Sequence, residues 1–349
     1  MTVTIKDVAK VANVNPSTVS RVIADSPRIS EYTKRKVRQV MEELGYHPNL
    51  NARSLVSNNA SAIGIIMPSS VEKAFQNPFF ANVLGGISNL SHEKHYSLYM
   101  STGATQQEIY SEVVKMVEGR RVDGIILLYS RANDPITNYL VEKNFPFVVI
   151  GKPYNEEGKS AYVDNDNFGA AKEITEHFIK NGHRLIGFIG GSPELIVTME
   201  RLNGYKKALE NANIPVVNEY IVHTEFHKEG GKGAIAKLMS LKQPPTALIV
   251  TDDLIGFGVL GTLQEMGIKV PEDICIFSFN NIMLTELTNP PLSSVDINID
   301  QLGYNATDSL IKLISNTENV PKKQIIPHQL IVRESSNGKV INNKLKINN

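Results

Sequence analysis

TIKDVAKVANVNPSTVSRVI, residues 4–23, reads as two short helices joined by a tight turn. Ile5, Val8, Ala9 and Ala12 recur at helical spacing and give one apolar face. Thr4 precedes them as a cap, and Asp7 stands three positions on, where a carboxylate reaches back to a free amide. Asn13-Val14-Asn15 breaks the run, asparagine being tolerant of left-handed backbone. Asn15 and Pro16 then restart the chain as N-cap and first helical residue, the positions each prefers. Val19, Val22 and Ile23 form the inner face of the second helix, which leaves Ser17, Thr18, Ser20 and Arg21 outside.

That outer face suits a duplex groove. A helix enters the major groove only if side chains near its start reach base edges without bulk. Arg21 offers a two-pronged donor for a guanine edge, and Ser17 and Thr18 serve base or phosphate. A surface hairpin with solvated polar side chains would share the pattern, so the surroundings decide. Overall the 349 residues carry no net charge, yet residues 1–60 hold nine Lys+Arg against five Asp+Glu, with the opposite balance beyond. Positive charge is concentrated where phosphate attraction needs it.

The length accommodates a small reader and a larger partner domain. The single cysteine, Cys275, excludes an internal disulfide, suits a reducing cytoplasm, and lies in the apolar run ICIFSF as a core thiol. Neither a signal pattern nor a membrane-length apolar run is present, so a cytoplasmic protein is expected.

Ser30 to Leu44 predicts a third helix, with Ser30 as cap, Val37, Val40, Met41 and Leu44 as its stripe and Gly45 as the stop. Pro48 starts a further short helix from Asn49 to about Val56, before the polar linker 57–61. Such a segment is marginal alone and forms when held against something. The residues 4–23, the third helix and YHPNLNARSL (46–55) together resemble the lactose/galactose repressor family. The resemblance implies that hinge helices from two subunits meet in the minor groove, with Leu55 wedged between base steps and Asn49, Ala52 and Arg53 beside it. Unstacking is then offset by wider contact with bent DNA. The expected DNA-contacting set is Thr4, Asn15, Pro16, Ser17, Thr18, Ser20 and Arg21 with those four hinge residues.

From Ala62 the texture changes. AIGIIM, SLYMS, VDGIILL and FVVIG, then RLIGFIG, ALIVT and ICIFSF, are short apolar runs separated by helix-length segments. Runs of this kind predict parallel α/β sheets covered on both faces, in two similar subdomains with ligand beyond the C-terminal strand ends. The family resemblance extends to about Arg333 and implies a periplasmic-binding-protein-like effector core that the chain crosses three times, near Ala161, Asn289–Ser294 and Val320. The expected organisation is therefore an all-α helix-turn-helix unit at 1–47, hinge helix and linker at 48–60, and an α/β sugar-binding and dimerisation unit at 61–334. Its subdomains are expected at about 61–161 with 294–320, and 162–289 with 321–334. The Asn/Lys-rich end, 335–349, is expected to be disordered and too short for tetramerising heptads, so a two-fold homodimer on a palindromic operator is expected.

Gly256-Phe-Gly-Val-Leu-Gly261 fits the dinucleotide fingerprint GxGxxG, but the strand ends near Val250 and Thr251-Asp252-Asp253 intervene. Two carboxylates at the helix start repel a phosphate, so close helix packing explains these glycines. The eight histidines show no ligand spacing, and neither a metal, a cofactor nor a catalytic motif is expected.

A hydroxyl-rich ligand is expected instead. The resemblance assigns effector hydroxyls to Arg201, in ERLNGY, and to Asp252, in VTDD. Asn280, in FSFNN, stands where many members carry aspartate, and an amide cannot accept two hydroxyls as a carboxylate does. Phe79 and Phe80, in NPFF, stand where the family stacks aromatics on its ligand, which the resemblance implies would meet a sugar's C–H face. ILLYS, ending at Ser130, and VVIGKPYNEE, containing Lys152, look like the corresponding stretches of maltose operon repressors of Gram-positive bacteria, which implies maltose or a related α-glucoside as effector. Gly151 and Leu128 replace an aspartate and an asparagine used by other members, which argues against lactose-like recognition. The function expected is a sugar-released repressor. Two alternatives are a global catabolite regulator with a protein co-repressor and a cytosolic sugar-binding protein.

Overall fold

The computed structural model of the chain describes residues 3–23, 25–46, 59–69, 71–154, 160–317 and 320–338. It divides into two units, Met1–Ala60 and Ser61–Asn349. In the first, α1 (Ile5–Ala12), α2 (Pro16–Ile23) and α3 (Glu31–Glu43) pack around Val8, Ala9, Ala12, Val19, Val22, Val37 and Val40. These are the residues that the 3.6-residue spacing selects. The Asp7 carboxylate accepts from Thr4 N at 2.8 Å and Thr4 Oγ1 at 2.7 Å, and those bonds hold its pKa below the ordinary carboxylate value. Asn13 takes the left-handed backbone that ends α1, with φ 52°. Lys34 is buried between Asp25 and Glu31, each 3.0 Å from Nζ, and Arg38 reaches the same Asp25 at 2.7 Å.

Ser30 caps α3 by accepting from Thr33 N. Ser30→Ala removes that acceptor and is expected to destabilise α3 by about 1 kcal/mol. Hydrogen exchange of the first-turn amides of α3 measures it; an unchanged rate would show that the cap is dispensable.

Among the described residues the second unit holds two six-stranded sheets. Its first half runs β1 (Ala62–Ile66), α4 (Val71–Phe75), α5 (Pro78–Glu93), β2 (Ser97–Met100), α6 (Gln106–Glu118), β3 (Gly124–Leu127), α7 (Pro135–Glu142), β4 (Phe147–Ile150) and β5 (Ser160–Asn165). It continues with α8 (Asn167–Lys180), β6 (Ile186–Gly190), α9 (Ile196–Asn211), β7 (Ile221–His223), α10 (Lys228–Met239), β8 (Ala247–Val250), α11 (Asp253–Glu265) and β9 (Cys275–Phe279). Last come β10 (Ser293–Asp296), α12 (Ile299–Ile314), β11 (Lys323–Ile326) and β12 (Gln329–Ile331). The first sheet is ordered β11-β5-β4-β3-β1-β2 and the second β12-β10-β9-β8-β6-β7. Every pairing is parallel except β10 with β12. The central strands β1, β3, β4, β6, β8 and β9 are buried along their whole length, as the unbroken apolar runs require.

The chain passes between the sheets later than expected. β5 and β11 belong to the first sheet and β10 to the second, so the crossings follow Asn165, Asp296 and Ile326. The segments SAYVDN, SSVD and KQII continue a sheet before leaving it, yet none is a continuous apolar run, which is why their extent was not legible. Asn165 ties the crossings together: its Nδ2 donates to the carbonyls of Ile297 at 2.9 Å and Ile326 at 3.0 Å.

The expected start of a disordered tail at 335 is corrected. Ser335 and Ser336 are wholly buried. Ser335 Oγ donates to Ile276 O and accepts from Ser293 N, both at 2.8 Å, and Ser336 Oγ lies 2.7 Å from Ser293 Oγ. Short hydroxyls here satisfy backbone groups of β9 and β10, a role invisible without the tertiary neighbours. Residues 339–349 lie outside the described residues. Cys275 is a core thiol with its Sγ 3.6 Å from the carbonyls of Pro271 and Gly338, and burial pushes its pKa up to about 11.

All three glycines of the GxGxxG match lie within α11, but close helix packing accounts for Gly258 alone, where a side chain would strike the Lys228 carbonyl at the start of α10; Gly256 faces Leu292 and Ser278, and Gly261 has open space.

Candidate functional site

In the first unit, Asn15, Pro16, Ser17, Ser20 and Arg21 are exposed and Thr18 is half-buried, while Val19 and Val22 anchor α2 from beneath. The structure thus puts these six along and just before one exposed helix. Thr4 is exposed as well, but its hydroxyl is committed to Asp7. Asn49, Ala52, Arg53 and Leu55, and with them the hinge helix, lie outside the described residues.

In the second unit, the strand ends of both sheets meet at a polar cluster. Asn77 caps α5, its Oδ1 accepting from Phe79 N at 3.0 Å, so Phe79 and Phe80 begin that helix, half-buried and edge to face with ring centroids 5.2 Å apart. Asp252 caps α11 on the other subdomain, its Oδ1 accepting from Leu254 N at 2.8 Å. Its Oδ2 accepts from Asn77 Nδ2 and from Asn280 Nδ2, both at 2.9 Å. Asn280 explains its own departure from the family pattern: an aspartate there would face the Asp252 carboxylate, whereas the amide donates to it. Its φ of 105° belongs to the region that favours glycine.

Arg201, on α9, is 5% exposed. Its Nε donates to Asn167 Oδ1 at 2.9 Å and its Nη1 to Thr251 O at 2.6 Å, while the guanidinium lies 3.9 Å above the Phe279 ring. Asn167 in turn donates to Asp164, whose carboxylate also accepts from Lys152 N at 2.9 Å. Ser130 Oγ donates to Lys152 O at 2.6 Å, and Lys152 Nζ is 3.5 Å from Glu200. Ser130 and Lys152 therefore join the cluster through its frame, with the Ser130 hydroxyl already engaged. Sequence reasoning passed over Asn77, Asp164, Asn167 and Phe226. Phe226 follows β7, half-buried against the core of the second sheet, and packs on Gly191, where a Cβ would meet its ring. The only signal was an aromatic after a three-residue strand too short to recognise.

Burial dominates the electrostatics. It raises Asp164 and Asp252 to about 6 and Asp253 to about 7, and it pulls Arg201 down to about 10, which leaves the guanidinium charged at neutral pH. Unfolded, the three carboxyls bind protons only below about pH 4. Folded, they retain them to pH 6–7, so their contribution to stability is complete below pH 4 and is lost as pH rises through the folded values. His183, whose pKa burial depresses, opposes them over part of this range. The melting temperature is therefore expected to be higher at pH 5 than at pH 7.5. A higher value at pH 7.5 would show that the three carboxylates are ionised at little cost.

Among the described residues no group of three His, Cys, Asp or Glu is placed to hold a metal ion, and no helix is long and apolar enough to cross a membrane. A three-helix reader preceding a two-sheet parallel α/β unit, with carboxylate, guanidinium, amides and aromatics at its strand ends, defines a DNA-binding regulator with a small-molecule-binding core.

Comparison with known proteins agrees. The model of bacterial regulatory proteins of the lacI family matches residues 4–49, and that of a periplasmic binding protein-like domain matches residues 175–336. The HTH-type transcriptional regulator MalR of Streptococcus pneumoniae is 41% identical over 338 residues, which are 96% of this chain and 99% of that protein. A LacI transcriptional regulator from Bacillus cereus subsp. cytotoxis is 53% identical with a TM-score of 0.78, the match covering 79% of this chain and 98% of that one. The complex of the transcriptional regulator CelR with cellobiose is 29% identical with a TM-score of 0.75, covering 96% and 100%. The chain belongs to the lacI family of bacterial regulatory proteins and is a DNA-binding transcriptional regulator.

Proposed function

We propose that this regulator represses an operon for the use of maltose or a related α-glucoside, and that the sugar, bound between the subdomains, releases it from the operator. The observation that carries the reading is the cluster of Asp252, Asn280 and the buried Arg201 at the strand ends, with Phe79 and Phe80 on the facing subdomain. Nε and Nη1 of Arg201 are engaged by the protein, so Nη2 is the nitrogen that meets a hydroxyl. A sugar's ring face suits Phe79, Phe80 and Phe226, and its edge suits the charged and amide groups. The likeness to MalR and to a regulator that holds a disaccharide supports this ligand class. The protein acts by binding in the cytoplasm, without catalysis or cofactor.

Operator recognition follows from α2. Two subunits place their α2 helices in successive major grooves of a palindrome, while paired hinge helices wedge Leu55 into the minor groove between them. Met283, Leu284 and Leu287, exposed by 76%, 44% and 73%, provide an apolar surface for the homodimer. Titrating maltose into a protein–operator mixture tests the proposal. Release is expected with maltose and not with lactose. Unchanged binding with maltose, combined with tighter binding when a co-repressor protein is added, would instead identify a global catabolite regulator.

A further inference from the structure

Asp252 receives more donors than a free carboxylate site would. Its two oxygens offer about four acceptor positions. Asn77 and Asn280 take Oδ2, Leu254 N takes Oδ1, and the Ile255 amide is also directed at the carboxylate. Three of these donors belong to the same subdomain as Asp252 and move with it. Asn77 is the exception, the N-cap of α5 on the first sheet's subdomain. The N-cap side chains of two helices from opposite subdomains thus meet, the Asn77 amide donating to the carboxylate that caps α11, which also accepts from that helix's own first-turn amides. The bond is buried, Asn77 being 6% and Asp252 4% exposed, so it is not exchanged freely for water.

We infer that Asn77 is a built-in latch: its amide closes the cleft by occupying the Asp252 acceptor that a ligand hydroxyl must take. This rests on the reading of the cleft as the effector site. Other contacts join the subdomains, among them the bridge of Arg131 to Leu195, the bond from Ile196 N to Ser130 O at 3.1 Å, and the Lys152–Glu200 pair. They leave Asp252 untouched, so they survive ligand binding. The Asn77 bond does not. A hydroxyl that reaches Asp252 displaces the amide, and the effector's affinity is measured against a protein already closed on itself.

The test uses the full chain and two variants that preserve the helix cap. In Asn77→Ser the hydroxyl still accepts from Phe79 N but is too short to bridge the cleft. In Asn77→Asp the cap oxygen remains, the donor is lost and a second carboxylate faces Asp252. In sugar-free protein, hydrogen exchange in peptides covering 77–84 and 251–258 is expected to rise about tenfold in Asn77→Ser, the size of one hydrogen bond to a charged group, and further in Asn77→Asp. Exchange at 251–258 that is unchanged in both variants would overturn the latch. Calorimetric titration with maltose is expected to show Asn77→Ser binding about tenfold more tightly than the parent, because the competing amide is gone. Equal or weaker binding would overturn the displacement and make Asn77 a ligand contact. Heat from neither protein would count against maltose as effector, and the exchange result alone would decide the latch.

Discussion

Arg201→Ala is expected to lose about 3–5 kcal/mol of stability in the larger unit and to abolish release of the operator by sugar. The guanidinium is the cation whose charge acts on Asp164, Asp252 and Asp253 together, and it is buried with them. Its removal leaves Asn167 Oδ1 and Thr251 O without their donor and Phe279 without its cover. Buried acceptors stripped of a charged partner cost far more than the partner's net contribution. DNA binding by the folded protein should persist, since the reader is a separate unit. Arg201→Lys separates stability from recognition. It retains the charge but not the fork, so much of the stability should return while the sugar response does not. Thermal denaturation and operator release, measured on both variants, check this. A sugar response that survives in Arg201→Ala at the parental concentration would make the residue structural only.

Arg21→Ala is expected to weaken operator binding by about 1–3 kcal/mol, roughly ten- to a hundredfold. Arg21 is exposed in the last turn of α2, between Ser20 and the buried Val22, and none of the headpiece ion pairs among the described residues uses it. Folding of the headpiece should therefore be unaffected, and the loss falls on recognition. If Arg21 reads a guanine edge, binding to the operator falls much more than binding to random duplex, and the salt dependence changes little. If it holds a phosphate, both fall together and the salt slope becomes shallower. Anisotropy titrations of both duplexes at two salt concentrations distinguish these. Unchanged operator affinity would remove Arg21 from the interface.

Why some of this was readable and some not follows from the distance between partners along the chain. In the headpiece, the contacts that matter lie three or four residues apart on one helix, or one turn away on the next. Thr4 and Asp7, Ser30 and Thr33, and the valines of the core could all be picked out by spacing. The fully buried strands were equally plain, because burial on both faces demands an unbroken apolar run. Edge and crossing strands escaped. β2, β7, β11 and β12 are partly exposed, and half-exposed segments of three or four residues have no distinctive pattern. Of β2 only its apolar run was legible; β7, β11 and β12 went unread, and with β7 went Phe226.

Residue types thus determined the three-helix reader, the α/β class of the second unit and the family to which both belong, because each rests on local periodicity or on an uninterrupted motif. Tertiary structure alone decided how the cleft is wired. Asn77 and Asp252 are 175 positions apart, and Arg201 meets Thr251 across 50. No spacing rule links such pairs, since what joins them is the convergence of strand ends from two sheets. That convergence also decided which donors and acceptors the protein has already used, and hence which ones a ligand must compete for.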